Sequence, residues 1–268
     1  MDWTALPVLL AVGAFVGFLA GLLGIGGGMS LVPMLTILFT AWHFPSAHIV
    51  HTAVGTATAT MVFTAVSSAR AHQRKRAVLW QVVFALGPGV VLGSLIGPQV
   101  ASALPTRPFA AMFGAFTWFA AWRIFVGETP KADRELPGKA GLFGVGAGIG
   151  TVASMVGAGG AFLVVPFLGR HNVKIHDAVG TSAALGAPIA AAATLGFIVA
   201  GLRQPGLPAG SLGYVYVPAM AVIVVATMVA APFGASAAHR WPPVTLRRAF
   251  AALLLALGAY MIWKAARP

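Results

Sequence analysis

Cysteine is absent from this 268-residue chain, which excludes disulfides, thiolate metal sites and a cysteine nucleophile. Acids are scarce: five Asp and Glu stand against seventeen Lys and Arg. Only Asp177 lies near an apolar run, so a carboxylate relay for Na⁺ or protons has little to work with. Charged residues make up 8% of the chain and hydrophobic ones 59%, whereas soluble domains are roughly 25% charged. The start, residues 1–7, lacks a basic segment; a cleaved signal peptide is not expected, and the first apolar run is expected to stay. The apolar runs do not alternate with polar residues, which disfavours a β-barrel. The net charge of +12 sits mostly in short connections between apolar runs. There it fixes orientation and meets anionic lipid; nucleic acid is not an expected partner.

What the chain has in abundance is apolar runs of about 18 residues or more, one after another, which predict an all-α, polytopic integral membrane protein. The first run, residues 6–41, would be roughly 50 Å long as one helix, against a hydrocarbon core of roughly 30 Å. At its centre lies Gly24-Ile-Gly-Gly-Gly-Met-Ser-Leu-Val-Pro33. Glycines followed by proline predict a break there, and non-helical backbone at membrane depth needs internal partners or a watery cavity.

That element recurs as Gly157-Ala-Gly-Gly-Ala-Phe-Leu-Val-Val-Pro166, with Ala161 where the first half has Gly28. Likewise His51-Thr-Ala-Val-Gly-Thr56 matches His176-Asp-Ala-Val-Gly-Thr181. Two ordered motifs in corresponding places predict a duplication: a first membrane repeat over 1–127, a charged cytoplasmic linker over 128–138, and a second repeat over 139–268. If each broken segment crosses once, Lys and Arg divide eleven inside to six outside. If each dips in and returns, they divide thirteen to four, with Arg107, Arg203, Lys264 and Arg267 outside. The second arrangement obeys the positive-inside rule better and predicts inverted repeats with both termini outside.

The two glycine–proline elements, the paired Val-Gly-Thr motifs and the duplicated layout resemble the sulfite exporter TauE/SafE family over essentially the whole chain. The resemblance implies a transporter of the bacterial inner membrane, not an enzyme, carrying sulfite, organosulfonates or related sulfur anions.

The residues themselves point to an anion site. A broken membrane helix leaves backbone N–H groups unpaired at its new N-terminus, where the helix dipole is positive. Glycine lets an oxyanion approach the backbone, and neighbouring hydroxyls can donate to it. The expected substrate-binding residues are Gly26, Gly27, Gly28, Thr56, Thr58, Gly159, Gly160, Thr181 and Ser182. The bland alternative is close packing of small residues, with hydroxyls bonded back to helix carbonyls. His51, His176 and Asp177 are candidates for gating or coupling, against the plainer roles of interfacial anchor and helix cap. His48 and His51 have ligand spacing, yet no further ligand completes a metal site. No metal or cofactor is expected. Transport by alternating access is the reading carried forward, with a channel-like uniporter as alternative. An intramembrane enzyme would need a nucleophile and base in reach, and no Gly-x-Ser-x-Gly elbow occurs.

Overall fold

The computed structural model describes residues 5–23, 27–126, 135–238 and 243–266. Its helices in chain order are α1 (Ala5–Leu23), α2 (Gly28–Ala41), α3 (Ile49–Arg74), α4 (Trp80–Ala103) and α5 (Thr106–Val126), followed by α6 (Lys139–Met155), α7 (Ala161–Arg170), α8 (Ile175–Gly201), α9 (Val217–Ala238) and α10 (Pro243–Ala266). A two-residue hairpin, β1 (Ser211–Leu212) and β2 (Val215–Tyr216), leads into α9. Among the described residues, seven helices are long and apolar enough to cross a membrane, and α2 and α7 are shorter apolar helices. The chain is an all-α polytopic membrane protein. The small hairpin was not anticipated from the sequence.

Helix directions follow from the contacts. Gly13 faces Ile223, Gly17 faces Thr227 and Gly234 faces Phe18 and Leu22, so α1 and α9 run parallel. In the same way Gly89, Gly93 and Gly97 of α4 meet successively later residues of α6, from Phe143 to Ser154. Helices α5 and α10 are antiparallel, with Gly114 against Ile262 and the Trp118 indole N–H donating to the Leu255 carbonyl at 3.1 Å. Helix α2 turns back along α3, since Gly28 at its start lies against Met61 while its end is joined to α3 by residues 42–48. Helix α7 runs back along α8 similarly, with Gly160 against Ile189. Each glycine break is therefore a hairpin that returns toward the side from which its first helix came. The two hairpins open to opposite sides.

The largest helix packings are α4 on α6 and α1 on α9, and both join residues before the 127–134 segment to residues after it. At the centre stand α3 and α8. In α3, 72% of the apolar window is buried, against 33% in α1 and 28% in α9, so α3 is shielded by protein while the outer helices face lipid. Basic residues segregate by end: Arg70, Arg74, Lys75, Arg76, Lys139, Arg170 and Lys174 flank the α3–α4, α5–α6 and α7–α8 connections, whereas Arg107, Arg203 and Lys264 lie at the opposite end. The central part of the expected linker lies outside the described residues.

Close helix approach rests on missing side chains. A Cβ at Gly93 would collide with the Ala147 carbonyl oxygen and stand 2.8 Å from the Thr151 amide nitrogen, whereas one at Gly148 meets nothing within 4 Å. This is the small-residue packing that brings membrane helices together without a hydrophobic driving force. Gly93→Ala is expected to destabilise the protein by about 1–3 kcal/mol through overpacking, while Gly148→Ala, with open space and better helix propensity, leaves the melting temperature unchanged or raised. Melting in detergent compares them; equal behaviour would remove the packing argument.

Candidate functional site

The first turns of α2 and α7 are built alike. Gly27 is the N-cap of α2, its carbonyl accepting from the amides of Ser30 (3.2 Å) and Leu31 (2.9 Å). Gly160 is the N-cap of α7, accepting from Leu163 (2.9 Å) and Val164 (2.8 Å). Gly160 has φ +75°, a left-handed backbone that L side chains rarely adopt. No side chain caps either helix. Pro33 and Pro166 are each the sixth residue of their helices. They remove one i→i−4 bond apiece, but the glycines before them make the break.

The start of α2 meets the break that precedes α7. A Cβ at Gly28 would strike the Gly157 carbonyl and the Met61 sulfur, and one at Gly159 would stand 3.2 Å from Met61 Cε. Val32, Val54 and Thr58 border Gly157. On the other side, Gly186 of α8 faces the Gly159 carbonyl, 3.5 Å from its would-be Cβ. Met61 and Gly186 lie near the midpoints of α3 and α8, which are about 40 Å long by helical rise. The breaks therefore sit close to mid-depth.

Ser182 lies one turn before Gly186 on the same face of α8. It is 1% exposed, and its hydroxyl has no hydrogen-bond partner among the described residues. Thr58 Oγ1 donates to the Gly55 carbonyl at 2.8 Å, Thr60 to Thr56 at 3.0 Å and Thr64 to Met61 at 3.1 Å. Much of the hydroxyl richness of α3 thus bonds back onto its own helix. Gly26 lies outside the described residues.

Thr56 and Thr181 do something else. Thr56 Oγ1 accepts the Tyr216 amide at 2.9 Å, and Gly55 beside it presses on the Tyr214 carbonyl. Thr181 Oγ1 accepts the Leu79 amide at 3.0 Å, and Gly180 presses on the Ala77 carbonyl. Each Val-Gly-Thr motif clasps the segment that leads into a long helix of the other half, α9 in one case and α4 in the other. The sequence displayed the paired motif; what it grips was not visible there.

The matched histidines are not brought together. His51 is 2% exposed and its Nε2 bonds the carbonyls of Ala101 (3.0 Å) and Leu104 (3.1 Å) at the end of α4, the ring stacking on Tyr214 at 5.1 Å. That geometry makes Nε2 the protonated nitrogen and His51 a strut between α3 and α4. His176 is exposed in the first turn of α8, at the other end of the bundle. Asp177 is half-buried in that same turn, where its charge complements the helix dipole. Met61 was missed: a lone methionine in an apolar run reads as core.

The sequence matches the family described as Sulfite exporter TauE/SafE over residues 9–261. The chain belongs to this family. It is 33% identical to a probable membrane transporter protein of Haemophilus influenzae, over 98% of the chain and all of the relative. It is 26% identical to the probable membrane transporter protein YdhB of Bacillus subtilis, over 90% of the chain and 94% of the relative. It is 23% identical to the probable membrane transporter protein MJ0441 of Methanocaldococcus jannaschii, over 96% of the chain and 95% of the relative. No solved structure matches the chain. The TauE/SafE protein is an integral membrane transporter, and its bacterial relatives fit residence in the inner membrane.

The clasps yield a direct test. Thr56→Val removes the hydroxyl that accepts the buried Tyr216 amide and is expected to cost about 1–3 kcal/mol, whereas Thr56→Ser restores most of it. Thr181→Val against Thr181→Ser should repeat the pattern through Leu79. Melting curves in detergent decide; a silent Thr56→Val would mean the clasp does not hold α9.

Proposed function

We propose that this transporter moves small sulfur oxyanions, sulfite or a related species, outward across the inner membrane. The anion is held where the N-termini of α2 and α7 meet. The observation that carries this reading is that two short helices without side-chain caps begin near mid-depth, the start of α2 lying against the break that precedes α7. The N-cap carbonyls take the amides of Ser30, Leu31, Leu163 and Val164, while those of Gly28, Met29, Ala161 and Phe162 have no intrahelical acceptor, and the positive end of each dipole points outward from them. An oxyanion satisfies both without any cationic side chain. This matters because none of the basic residues in the described connections lies at that depth. Ser182 adds a hydroxyl free to donate. Catalysis is not part of the proposal.

The mechanism is alternating access between two inverted halves, 1–127 and 139–268. What supports it is the exchange of partners: α1 packs on α9 as α6 packs on α4, and each Val-Gly-Thr clasp reaches across to the other half. Opposite-facing hairpins give one central anion position two routes of approach. On this reading the basic ends of the α3–α4, α5–α6 and α7–α8 connections are cytoplasmic and attract anionic lipid and substrate alike.

The test is a thermal-shift panel on detergent-purified protein at constant ionic strength, with sulfite, thiosulfate, sulfoacetate, taurine, sulfate, phosphate and chloride. A ligand at about 100 times its dissociation constant stabilises by roughly 2.7 kcal/mol. The expected outcome is a selective shift with a sulfur oxyanion, weakened in Ser182→Ala. That substitution removes no hydrogen bond among the described residues, so the ligand-free melting temperature should stay where it is. A cooperative melt unmoved by every anion would overturn the proposal.

A further inference from the structure

We infer that Met61 is a one-sided size filter at the meeting of the two breaks, which limits the transporter to anions with little or no organic tail. This rests on the anion position proposed above and adds a specificity-determining residue to it. Met61 is 4% exposed. Its sulfur lies against Gly28 at the start of α2, and its terminal methyl lies against Gly159 just before α7. The side chain therefore spans the gap between the two helix N-termini, over the place where an oxyanion would sit.

The duplicated motif gives the contrast. With His51 matched to His176 and Thr56 to Thr181, Met61 falls opposite Gly186 and Ala57 opposite Ser182. The α3 face of the breaks is apolar and filled; the α8 face has a free hydroxyl and a missing side chain. An anion seated toward α8 meets Ser182 and the α7 amides on its polar side. Any substituent on sulfur must then point at Met61. Methionine is unbranched, with three rotatable bonds and no hydrogen-bond donor. It can swing to let a small anion pass, yet it offers nothing to a bound one and occupies the space a tail would need.

The experiment measures binding of sulfite and of alkanesulfonates of one to four carbons to the detergent-purified full chain, by thermal shift at constant ionic strength. The variants are Met61→Ala, which empties the α3 side, and Gly186→Ala, which fills the α8 side. A Cβ at Gly186 would stand 3.5 Å from the Gly159 carbonyl and 3.6 Å from Ala65 Cβ, ordinary contact that the fold accepts. In wild type, affinity should fall steeply with tail length. In Met61→Ala the longer sulfonates should gain about tenfold or more relative to sulfite, the scale on which a pocket registers a methylene. Gly186→Ala should shift the ratio toward sulfite. An unchanged sulfonate-to-sulfite ratio in Met61→Ala, with wild type binding sulfite, overturns the filter while leaving the proposed function standing. Wild type that binds none of these anions overturns the proposed function, and the filter with it. Should Met61→Ala not melt cooperatively, Gly186→Ala decides alone: a lower ratio supports the filter and an unchanged one overturns it.

Discussion

A helix that begins in the middle of a bilayer must have protein on every side. In hydrocarbon, an unpaired backbone group costs several kcal/mol, with no water to relieve it. Helices α2 and α7 both start near mid-depth without a side-chain cap, and the rest of the bundle follows from that requirement. The most buried long helix, α3, stands beside the α2 start, while α8 stands beside α7. The two breaks are placed against each other, so that each shields part of the other. Outside them, α1 with α9 and α4 with α6 close the bundle. Backbone can lie against backbone there only because glycines occupy the contacts.

The clasps extend this logic from protection to movement. A pivot in a membrane transporter needs a joint whose polar groups remain satisfied while larger pieces rotate. Under the proposed alternating access, the non-helical segments before α4 and α9 would be such joints, each tied by one threonine oxygen to the central helix of the other half. His51 adds a second tie, bonding two terminal carbonyls of α4. The α3 start and the α4 end are thus held together, and motion that separates them would break both His51 bonds and strip the buried ring of its acceptors. This favours α3 and α4 moving as a unit.

Much of this was legible in the sequence, for reasons that are local. Glycine and proline act on their own backbone, so the breaks could be found from residues 24–33 and 157–166 without partners. Charge acts on a whole loop, so counting lysine and arginine pointed to hairpins that return to their own side, the arrangement that the helix contacts describe. What stayed hidden depends on who faces whom. His51 and His176 are matched in sequence, yet one is enclosed by Phe109 and Tyr214 and the other is exposed. The threonines of α3 looked like a polar lining, but Thr58, Thr60 and Thr64 spend their donors on their own helix. Nothing in Val-Gly-Thr announces the loops at Ala77 and Tyr214.

Divergence between the halves is as informative as their likeness. Complete likeness of the two motifs would make the two faces of the centre equivalent, and an anion between them would have no preferred seat. The Met61 and Gly186 positions break that equivalence, as do Ala57 and Ser182. A buried hydroxyl without a partner is a cost to folding, and in an apolar bundle a back-bonded threonine or an alanine would avoid it. Its presence one turn from Gly186, with Met61 on the facing helix, places the polar capacity of the centre on α8 and the steric bulk on α3. The clasps and the close glycine contacts are mirrored between the halves because they serve the fold. The residues around the breaks are unlike each other, and under the proposed function that difference is what would orient a substrate lying between two nearly equal walls.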